Sequence, residues 1–305
     1  MNNIAVSIFI LTYNQEQFIA QTIESILSQK TNFNFQLVIG EDCSSDNTRT
    51  ICEQYVHDYG DKVKLLPALH SNIGLIANYI RTIKECDGKY IAICDGDDYW
   101  TDDLKLQKQV DFLEKNQDYS IVYTAVNRLY PDGQSIDFKY SLNKTQLDFD
   151  DLVFDNFIYS VTALFRNTHS NVAAIPGWIN NFPFGDWQTY LWVLKDGSKI
   201  HFMEDITAVY RMNIGVSSTF MKKNSVYVKV LIDILQYLYE DENFSHKKEI
   251  IAASIINRKR DLLTCYNREK TYVAGFGLFL NVLKTADNKL LFSKFYLYSL
   301  FKSLS

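Results

Sequence analysis

The first hundred residues alternate between short apolar runs and segments with a helical repeat. Residues 4–11 are almost all apolar, which is typical of a strand buried on both faces of a parallel sheet. Ile19, Ile23 and Leu27 lie on one side of a predicted amphipathic helix that begins near Asn14. The pattern therefore predicts a strand followed by a helix.

The same unit of strand and helix recurs three times before residue 120. Further strands are predicted at residues 35–39, 63–66 and 90–94, and further helices at residues 48–59, 75–85 and 102–116. Asp46 is predicted to cap the helix that follows it. This alternation is typical of an α/β fold with a mostly parallel sheet between helices, in which ligands bind beyond the carboxyl ends of the strands.

Beyond residue 120 the periodicity weakens. Strands are predicted at residues 120–126 and 160–165, a turn at residues 131–133, an irregular connection at residues 140–155, and a helix at residues 187–195. From about Met221 a long apolar stripe predicts helices. We therefore expect an α/β domain at residues 1–220 and a helical C-terminal region at residues 221–305.

Composition narrows the class of protein. The 305 residues are 47% hydrophobic and carry a net charge of -5, so the chain offers a large core and no basic surface for nucleic acid. The five cysteines are odd in number and include no C-x-x-C pair, which argues against a disulfide framework or a zinc site. Neither a signal peptide nor a stretch of 18 apolar residues is evident, so we expect a cytoplasmic protein.

The strongest local motif is the segment Asp95–Asp98, with the sequence Asp-Gly-Asp-Asp, after the strand predicted at residues 90–94. Its three carboxylates repel one another unless a cation relieves them, and hard oxygen ligands favour Mg²⁺ or Mn²⁺. Such an ion offsets the charge of a diphosphate leaving group. The alternative is a solvated acidic turn in which Asp98 or Asp102 caps the next helix.

Two further polar loops follow the first and second strands and should open onto the same edge of the sheet. They comprise residues 12–14 and 41–46. A carboxylate at Asp42 suits the imide N–H of a uracil ring, and Tyr13 suits stacking on the base. The alternative is that Asp42 and Asp46 serve only as turn and cap residues.

Two candidates lie in the second half of the chain. Asp186 lies between Phe184 and Trp187, and apolar neighbours raise the pKa of a carboxyl group, which suits a general base for a sugar hydroxyl. A helix cap is the alternative. Arg211, followed by a loop at residues 215–218, suits contact with a diphosphate; the alternative is a surface arginine after a strand.

Together these segments resemble the inverting family 2 glycosyltransferases over about Val6 to Ser218. The segments that carry the resemblance are VSIFILTYN at 6–14, SILSQ at 25–29, GEDCSSDNT at 40–48, NIG at 72–74, GKYIA at 88–92 and DGDDYW at 95–100. The resemblance implies a GT-A fold, which is Rossmann-like and typical of nucleotide-diphospho-sugar transferases. It also implies a nucleotide-sugar donor, expected to carry UDP, and a divalent cation, Mn²⁺ or Mg²⁺.

The resemblance also assigns roles by position. It makes Asp186 the catalytic base and Asp97 the metal ligand. It assigns Asp42 to the nucleobase and Asp95 to the nucleotide. From the polar loops themselves we also predict nucleotide contacts by Thr12, Tyr13, Asn14 and Arg211. The implied reaction is a single displacement in which Asp186 removes the acceptor proton, the metal steadies the departing diphosphate, and the anomeric configuration inverts.

The chain departs from the family pattern at two places. The family often has Asp-Asp-Gly-Ser where this chain has Glu-Asp-Cys-Ser at residues 41–44. It commonly has a histidine where Asn213 follows Tyr210 and Arg211. The second departure bears on metal or diphosphate contacts from that loop.

Other classes of protein fit less well. A dinucleotide-binding oxidoreductase would carry G-x-G-x-x-G after the first strand, and a sugar nucleotidyltransferase would carry a glycine-rich basic loop there. The sequence has Thr-Tyr-Asn-Gln-Glu at residues 12–16 instead. A non-catalytic scaffold that binds nucleotide sugars on the same fold stays open as an alternative.

The last residues bear on partners and location. Residues 289–305 hold three lysines, no acid and many apolar side chains, which suits a helix on a membrane surface or a helix docked on protein. The resemblance implies a saccharide or lipid-linked saccharide acceptor in cell-surface polysaccharide biosynthesis. The sequence therefore leaves two alternatives for the C-terminal region: peripheral contact with the inner face of the plasma membrane, or docking on the catalytic domain or on a partner subunit.

Overall fold

Nine strands form one sheet in the part of the chain described by the computed structural model, residues 4–140, 144, 146–167, 174–215, 223–285 and 289–304. The chain divides into two compact units, Met1–Val216 and Ser217–Ser305. The predicted boundary at residue 220 and the predicted loop residues 216–218 lie outside the described residues. The extents of the two domains therefore stay a prediction.

Strands and helices alternate along the first hundred residues, as predicted. The strands are β1 (Ile4–Thr12), β2 (Asn34–Glu41), β3 (Val63–Leu65), β4 (Tyr90–Ile93), β5 (Tyr99–Trp100), β6 (Tyr119–Leu129), β7 (Ser135–Phe138), β8 (Leu164–Arg166) and β9 (Lys199–Arg211). The helices of the first unit are α1 (Ile19–Leu27), α2 (Thr48–Tyr59), α3 (Leu75–Ile83), α4 (Lys105–Lys115), α5 (Phe149–Leu152) and α6 (Asp186–Val193).

The sheet is parallel in its first half and mixed in its second. Its strand order is β3-β2-β1-β4-β8-β6-β9-β5, with β7 paired to β6. The strands β1 to β4 pair in parallel, and β6 pairs in parallel with β9. Strand β8 runs antiparallel between β4 and β6, while β5 and β7 are antiparallel to their neighbours. The α/β class is confirmed, and the antiparallel strands all come after residue 98.

Both faces of β1 are buried, which explains its continuous apolar run. Ile8 and Ile10 belong to one core cluster with Ile23 of α1 and with residues of α4. On the other face, the ring of Phe9 meets Tyr79 of α3 edge-on, with the ring centroids 5.3 Å apart. Because alternate side chains of a strand point to opposite faces, helices on both faces are needed to bury them.

Some element boundaries differ from the prediction. Helix α1 begins at Ile19 and not near Asn14, because Asn14 has a φ of 52° and the backbone N–H of Phe18 turns back to Gln15 O at 2.9 Å. The predicted strand at residues 160–165 begins only at Leu164. A short 3-10 helix, Ser160–Thr162, precedes it.

The predicted helix cap at Asp46 is also corrected. Asn47 occupies the N-cap position of α2. The Asp46 carboxylate lies one residue earlier and accepts hydrogen bonds from the backbone N–H of Thr48 at 3.0 Å and from its hydroxyl at 2.6 Å. Asp46 therefore still satisfies a donor of the first turn, which helix N-termini leave without an intrahelical partner.

The second unit is helical, as predicted. Its long helices are α7 (Asn224–Glu240), α8 (Lys248–Arg268), α9 (Tyr272–Thr285) and α10 (Lys289–Leu304). Leu263 of α8, Val282 of α9 and Phe292 of α10 meet in one buried cluster. The last helix is therefore docked on the helices of its own unit.

Candidate active site

The acidic segment lies at the carboxyl end of β4, against the end of β1. The backbone N–H of Gly96 donates to Leu11 O at 3.0 Å. A side chain at Gly96 would meet the hydroxyl of Thr12 at 2.8 Å and would also collide with Gln15. Glycine is required because the backbone of the acidic segment passes so close to the loop after β1. The acidic segment and the loop after β1 therefore lie at the same edge of the sheet.

Asp98 is the most deeply buried carboxylate of the segment and does not cap α4. It is 1% exposed, and its Oδ1 accepts a hydrogen bond from the backbone N–H of Arg211 at 2.8 Å. Its other oxygen has no hydrogen-bond partner among the described residues. Burial raises the pKa of Asp98 well above its usual value. Asp98 thus ties the acidic segment to the end of β9, which corrects the predicted cap role.

Asp97 lies beside the end of β9 as well. It is 8% exposed, and burial raises its pKa. A side chain at Gly215, which has a φ of 84°, would meet the Asp97 carboxylate at 2.6 Å. The backbone near Gly215 therefore approaches Asp97 more closely than a side chain would permit.

The side chain of Arg211 packs against the acidic segment. Its guanidinium donates to Asp97 O and, at 2.5 Å, to the side-chain oxygen of Gln21, and it lies 4.7 Å from the ring centroids of Phe18 and Tyr99. Only 8% of the residue is exposed, so the alternative of a surface arginine is wrong. The predicted contact between Arg211 and a nucleotide stays a prediction.

The loops after β1 and β2 are joined to each other, which confirms that they share an edge. Asn14 donates its backbone N–H to the Ser44 hydroxyl at 2.9 Å and accepts at its side-chain oxygen from the backbone N–H of Ser45 at 2.8 Å. The backbone N–H of Asp42 donates to Thr12 O at 3.0 Å. Asn14 therefore holds the two loops together, whatever further contact it makes with a ligand.

Tyr13 precedes Asn14 on the loop after β1. Its side chain is 39% exposed on the loop after β1. An exposed aromatic ring at the carboxyl edge of a parallel sheet is suited to stacking on a nucleobase. The assignment of Tyr13 to the nucleotide stays a prediction.

Asp42 has a structural role that the sequence did not indicate. Its two carboxylate oxygens accept hydrogen bonds from the backbone N–H groups of Ile73 at 2.8 Å and Gly74 at 2.9 Å. Asn72 donates its side-chain amide to Asp42 O at 3.0 Å. Asp42 thereby holds the segment that precedes α3. Each carboxylate oxygen retains a further acceptor site, so a contact with a base stays a prediction.

Asp186 is the first residue of α6. Its carboxylate accepts a hydrogen bond from the side-chain amide of Asn156 at 3.0 Å. Burial raises its pKa, although hydrogen bonds from Asn156 and from the backbone N–H of Trp187 lower it in part. The pKa of Asp186 is raised overall, because the effect of burial is larger than the opposing effect of these hydrogen bonds at the start of the helix. A carboxyl group in this condition is suited to accept a proton near neutral pH.

The start of α6 is fixed by close packing against α3. A side chain at Gly185 would meet the ring of Tyr79 at 2.9 Å. The hydroxyl groups of Tyr79 and Thr189 are hydrogen-bonded at 2.9 Å inside the core. The indole N–H of Trp187 donates to Leu152 O at 2.9 Å. Because the helix cannot shift without breaking these contacts, Asp186 is held on a rigid element.

Asp95 and Asp186 lie close enough to influence each other, although ninety residues separate them. Burial raises the pKa of Asp95 to about 7, and the charges of Asp97 and Asp186 contribute to the rise. The hydroxyl of Ser160 donates to the Asp95 carboxylate at 2.9 Å and opposes the rise. The structure therefore brings the predicted nucleotide, metal and base carboxylates to one place.

Several residues of this site escaped prediction. Asn156 and Ser160 both lie in the segment between α5 and β8, where no chemical motif marks them. Gln15 follows the Thr-Tyr-Asn loop and was not singled out. The one signal available was the density of polar residues near sheet edges, which is too common to be specific.

The donor set fits a cation that is shared with a diphosphate. Among the described residues no three His, Cys, Asp or Glu side chains are arranged to hold a metal ion by themselves. Mg²⁺ in nucleotide sites is usually held by one or two carboxylates together with phosphate oxygens. Asp97 supplies such a carboxylate, and the buried oxygens Thr12 Oγ1 and Gln15 Oε1 have no hydrogen-bond partner in the part of the chain that the structure describes. The residues therefore fit an ion that arrives with its phosphate ligands.

Comparison with other sequences identifies the family. Residues 7–167 match the family model described as Glycosyl transferase family 2. An uncharacterized protein of Mycobacterium tuberculosis is 34% identical over 208 residues, which cover 67% of this chain and 58% of that protein. The chain therefore spans less than two thirds of the length of this relative. TuaG of Bacillus subtilis, named for glycosyl transfer in teichuronic acid biosynthesis, is 28% identical over 76% of this chain and 90% of its own length.

Solved structures share the fold. TarS of S. aureus, in complex with UDP-GlcNAc, superposes with a TM-score of 0.62 at 17% identity, covering 86% of this chain and 81% of that one. Mannosyltransferase PcManGT of Pyrobaculum calidifontis, in complex with GDP-Man and Mn²⁺, gives 0.60 at 14% identity, covering 100% of this chain and 90% of that one. These likenesses confirm the predicted GT-A fold. Since the family model matches more than half of the sequence, the chain belongs to glycosyl transferase family 2.

Proposed function

We propose that this protein is a glycosyltransferase that moves a sugar from a UDP-linked donor to a hydroxyl acceptor, with inversion and with a divalent cation. The observation that carries the proposal is the meeting of three carboxylates from two distant segments. The charges of Asp97 and Asp186 both raise the pKa of Asp95. A base on one side and metal and nucleotide ligands on the other are what a single displacement requires.

The proposed step assigns the proton to Asp186. Its carboxylate takes the proton from the acceptor hydroxyl while the acceptor oxygen bonds to the anomeric carbon of the donor sugar. The bond between that carbon and the phosphate oxygen breaks, and the nucleoside diphosphate leaves with the electron pair. The raised pKa of Asp186 matches this role, because a more basic carboxylate accepts the proton more readily.

The opposite side of the site is assigned to the donor. Asp95 would contact the nucleotide, Asp97 would hold Mn²⁺ or Mg²⁺, and the ion would offset the charge of the departing diphosphate. Thr12, Tyr13 and Asn14, together with Asp42 and Arg211, complete the proposed nucleotide site. The support for UDP is the fit of Asp42 to a uracil imide and the UDP-GlcNAc bound by the structural neighbour TarS.

The acceptor is proposed to be a saccharide or lipid-linked saccharide of a cell-surface polysaccharide, made on the cytoplasmic side of the membrane. The support is the name of the relative TuaG, which refers to teichuronic acid biosynthesis.

Donor use can be measured directly. The purified chain is incubated with a panel of nucleotide sugars, with and without Mn²⁺, and released nucleoside diphosphate is quantified. We expect release from a UDP sugar that requires Mn²⁺ and stops when the ion is chelated. Equal release from UDP, GDP and dTDP sugars would contradict the role of Asp42. Binding without turnover on any acceptor would favour the scaffold alternative.

The stereochemistry needs a second measurement. Once an acceptor is found, the anomeric configuration of the product is compared with that of the donor by NMR. Inversion supports a single displacement with Asp186 as base. Retention would contradict it, because retention requires two displacements or a different mechanism.

A further inference from the structure

The helices α9 and α10 each have a buried side and an exposed side. On the buried side, the rings of Phe279 and Tyr296 are stacked with their centroids 4.3 Å apart. The side-chain amide of Asn267 of α8 donates to the Ser299 hydroxyl of α10 at 3.1 Å. These contacts hold one side of α9 and of α10 against their own unit. The opposite side of each helix is therefore left exposed.

The exposed side of α10 is strongly apolar. Leu290 is 68% exposed, Leu297 61%, Tyr298 64% and Phe301 73%. Leu290 and Leu297 are seven residues apart, which is two turns, and Phe301 follows Leu297 by four, so these side chains lie on one side of the helix. Exposed apolar residues are common singly, but a continuous stripe marks an interaction surface.

The exposed side of α9 has the same character. Val273 is 90% exposed, Phe276 52% and Leu280 44%. Their spacing of three and four residues again forms one stripe. Two neighbouring helices therefore present apolar stripes to the outside, and we call the two stripes together the apolar surface of α9 and α10.

The charges on these two helices have one sign. The sequences of α9 and α10 contain four lysines and no Asp or Glu. Lys284, Lys289 and Lys294 are exposed. The whole chain carries a net charge of -5, so this positive character is local. Lysines interspersed with exposed apolar side chains suit a surface that is both apolar and anionic.

We propose that the apolar surface of α9 and α10 lies on an anionic lipid bilayer. No helix in the described ranges is long and apolar enough to cross a membrane. The apolar stripes would enter the boundary between headgroups and acyl chains, while the lysines would contact the anionic headgroups. This contact would hold the transferase next to lipid-linked substrates, but it does not depend on the proposed reaction.

A second copy of this chain is the main rival occupant. In a symmetric dimer the same patch would face itself, so lysines would oppose lysines with no acid on either helix to offset them. Like charges that face one another across an interface oppose association. The charge pattern therefore favours an anionic partner over a second copy.

Vesicle co-sedimentation of the whole chain tests the proposal. Vesicles of phosphatidylcholine are compared with vesicles that also contain phosphatidylglycerol. We expect binding to the anionic vesicles alone, and weaker binding as salt is raised. Leu290→Ser with Phe301→Ser should weaken binding by roughly 10-fold or more, since burial of each apolar side chain would be lost. Lys289→Gln with Lys294→Gln should weaken it by about 5-fold per lysine.

The control substitutes exposed apolar residues elsewhere in the chain. Leu104 and Val226 are 42% and 43% exposed and lie outside the apolar surface of α9 and α10. Leu104→Ser with Val226→Ser should leave vesicle binding unchanged, and thermal unfolding of each variant checks its folding. Donor turnover in solution is measured separately, so failure of membrane binding is distinguishable from failure of the proposed reaction.

Three results would overturn the proposal. One is the absence of binding to anionic vesicles. Another is equal binding by the wild type and the variants, or equal binding to neutral and anionic vesicles. The third is a dimer in analytical ultracentrifugation that Leu290→Ser with Phe301→Ser dissociates, because the same surface would then be covered by a second copy.

Discussion

The side-chain amide of Asn156 donates a hydrogen bond to the Asp186 carboxylate at 3.0 Å. This bond favours the ionised carboxylate, whereas burial disfavours it more strongly and leaves the pKa of Asp186 raised. Asn156 thus limits how far the pKa of the proposed base rises. It also fixes the direction in which the carboxylate points.

Removing that amide should shift the pH dependence of the reaction. In Asn156→Leu the pKa of Asp186 should rise further, because burial then acts with less opposition. The base works only when ionised, so the acid limb of kcat should move to higher pH. The measurement is kcat against pH for the variant and for Asn180→Ala, whose exposed side chain bonds Gly177 O at 3.1 Å. An unshifted limb in Asn156→Leu would remove Asn156 from this role.

The buried Asp95 carboxylate should lower the free energy of unfolding at neutral pH. Its folded pKa of about 7 lies above the ordinary value of 3.8, so folding disfavours its ionised form. The cost is absent below about pH 4, grows as pH rises toward 7, and stays constant above that. Asp95→Asn should therefore raise the free energy of unfolding by up to about 4 kcal/mol at pH 8 and by little at pH 4.

Donor affinity of the same variant is expected to fall, because Asp95 is proposed to contact the nucleotide. Chemical denaturation at the two pH values, with donor titration at pH 8, separates the two effects. A variant less stable than the wild type at pH 8 would show that the carboxylate is stabilised by contacts that outweigh its burial.

Cys43 is held in a left-handed conformation that favours glycine. Its φ is 59°, which an L residue with a β-carbon adopts at a cost of roughly 1 kcal/mol. Cys43→Gly removes this cost but adds freedom to the unfolded chain, so we expect a net gain of about 0.5 kcal/mol in the free energy of unfolding. Cys43→Ala is the matched control and should show no gain, since alanine keeps the β-carbon. Equal gains would mean that the thiol itself is unfavourable.

Arg211 is expected to matter for stability before any donor is bound. Its guanidinium bonds Asp97 O and Gln21 in a buried position, so Arg211→Met should lower the free energy of unfolding by roughly 2 to 4 kcal/mol. Denaturation without nucleotide is the measurement, and Arg268→Met at an exposed position of α8 is the control. Unchanged stability with weakened donor binding would instead favour the direct diphosphate contact predicted from the sequence.

Much of the first half of the fold could be predicted because its strands are buried on both faces. The apolar runs of β1, β2 and β4 identified those strands, and parallel pairing placed their ends at one edge. Asp95 and Asp97 were found for the same reason, since they follow a strand of this kind. The prediction of a shared edge needed only the topology.

The second half was harder because its signals depend on tertiary contacts. Strand β9 escaped prediction, since the exposed pair Glu204 and Asp205 interrupts its apolar pattern. Asn156 and Ser160 bond to carboxylates that lie 30 and 65 residues away in sequence, and no local pattern encodes such pairs. The burial of Arg211 depends on acceptors that only the folded chain supplies.

The central claim is that Asp186 takes the acceptor proton, and one substitution tests it most directly. Turnover and donor affinity are measured for Asp186→Asn, with Asp61→Asn on the exposed surface as the control. We expect donor affinity within about 2-fold of the wild type and turnover lower by roughly 10²-fold to 10⁴-fold, because asparagine cannot accept the proton. Turnover in Asp186→Asn equal to that of the wild type would contradict the claim.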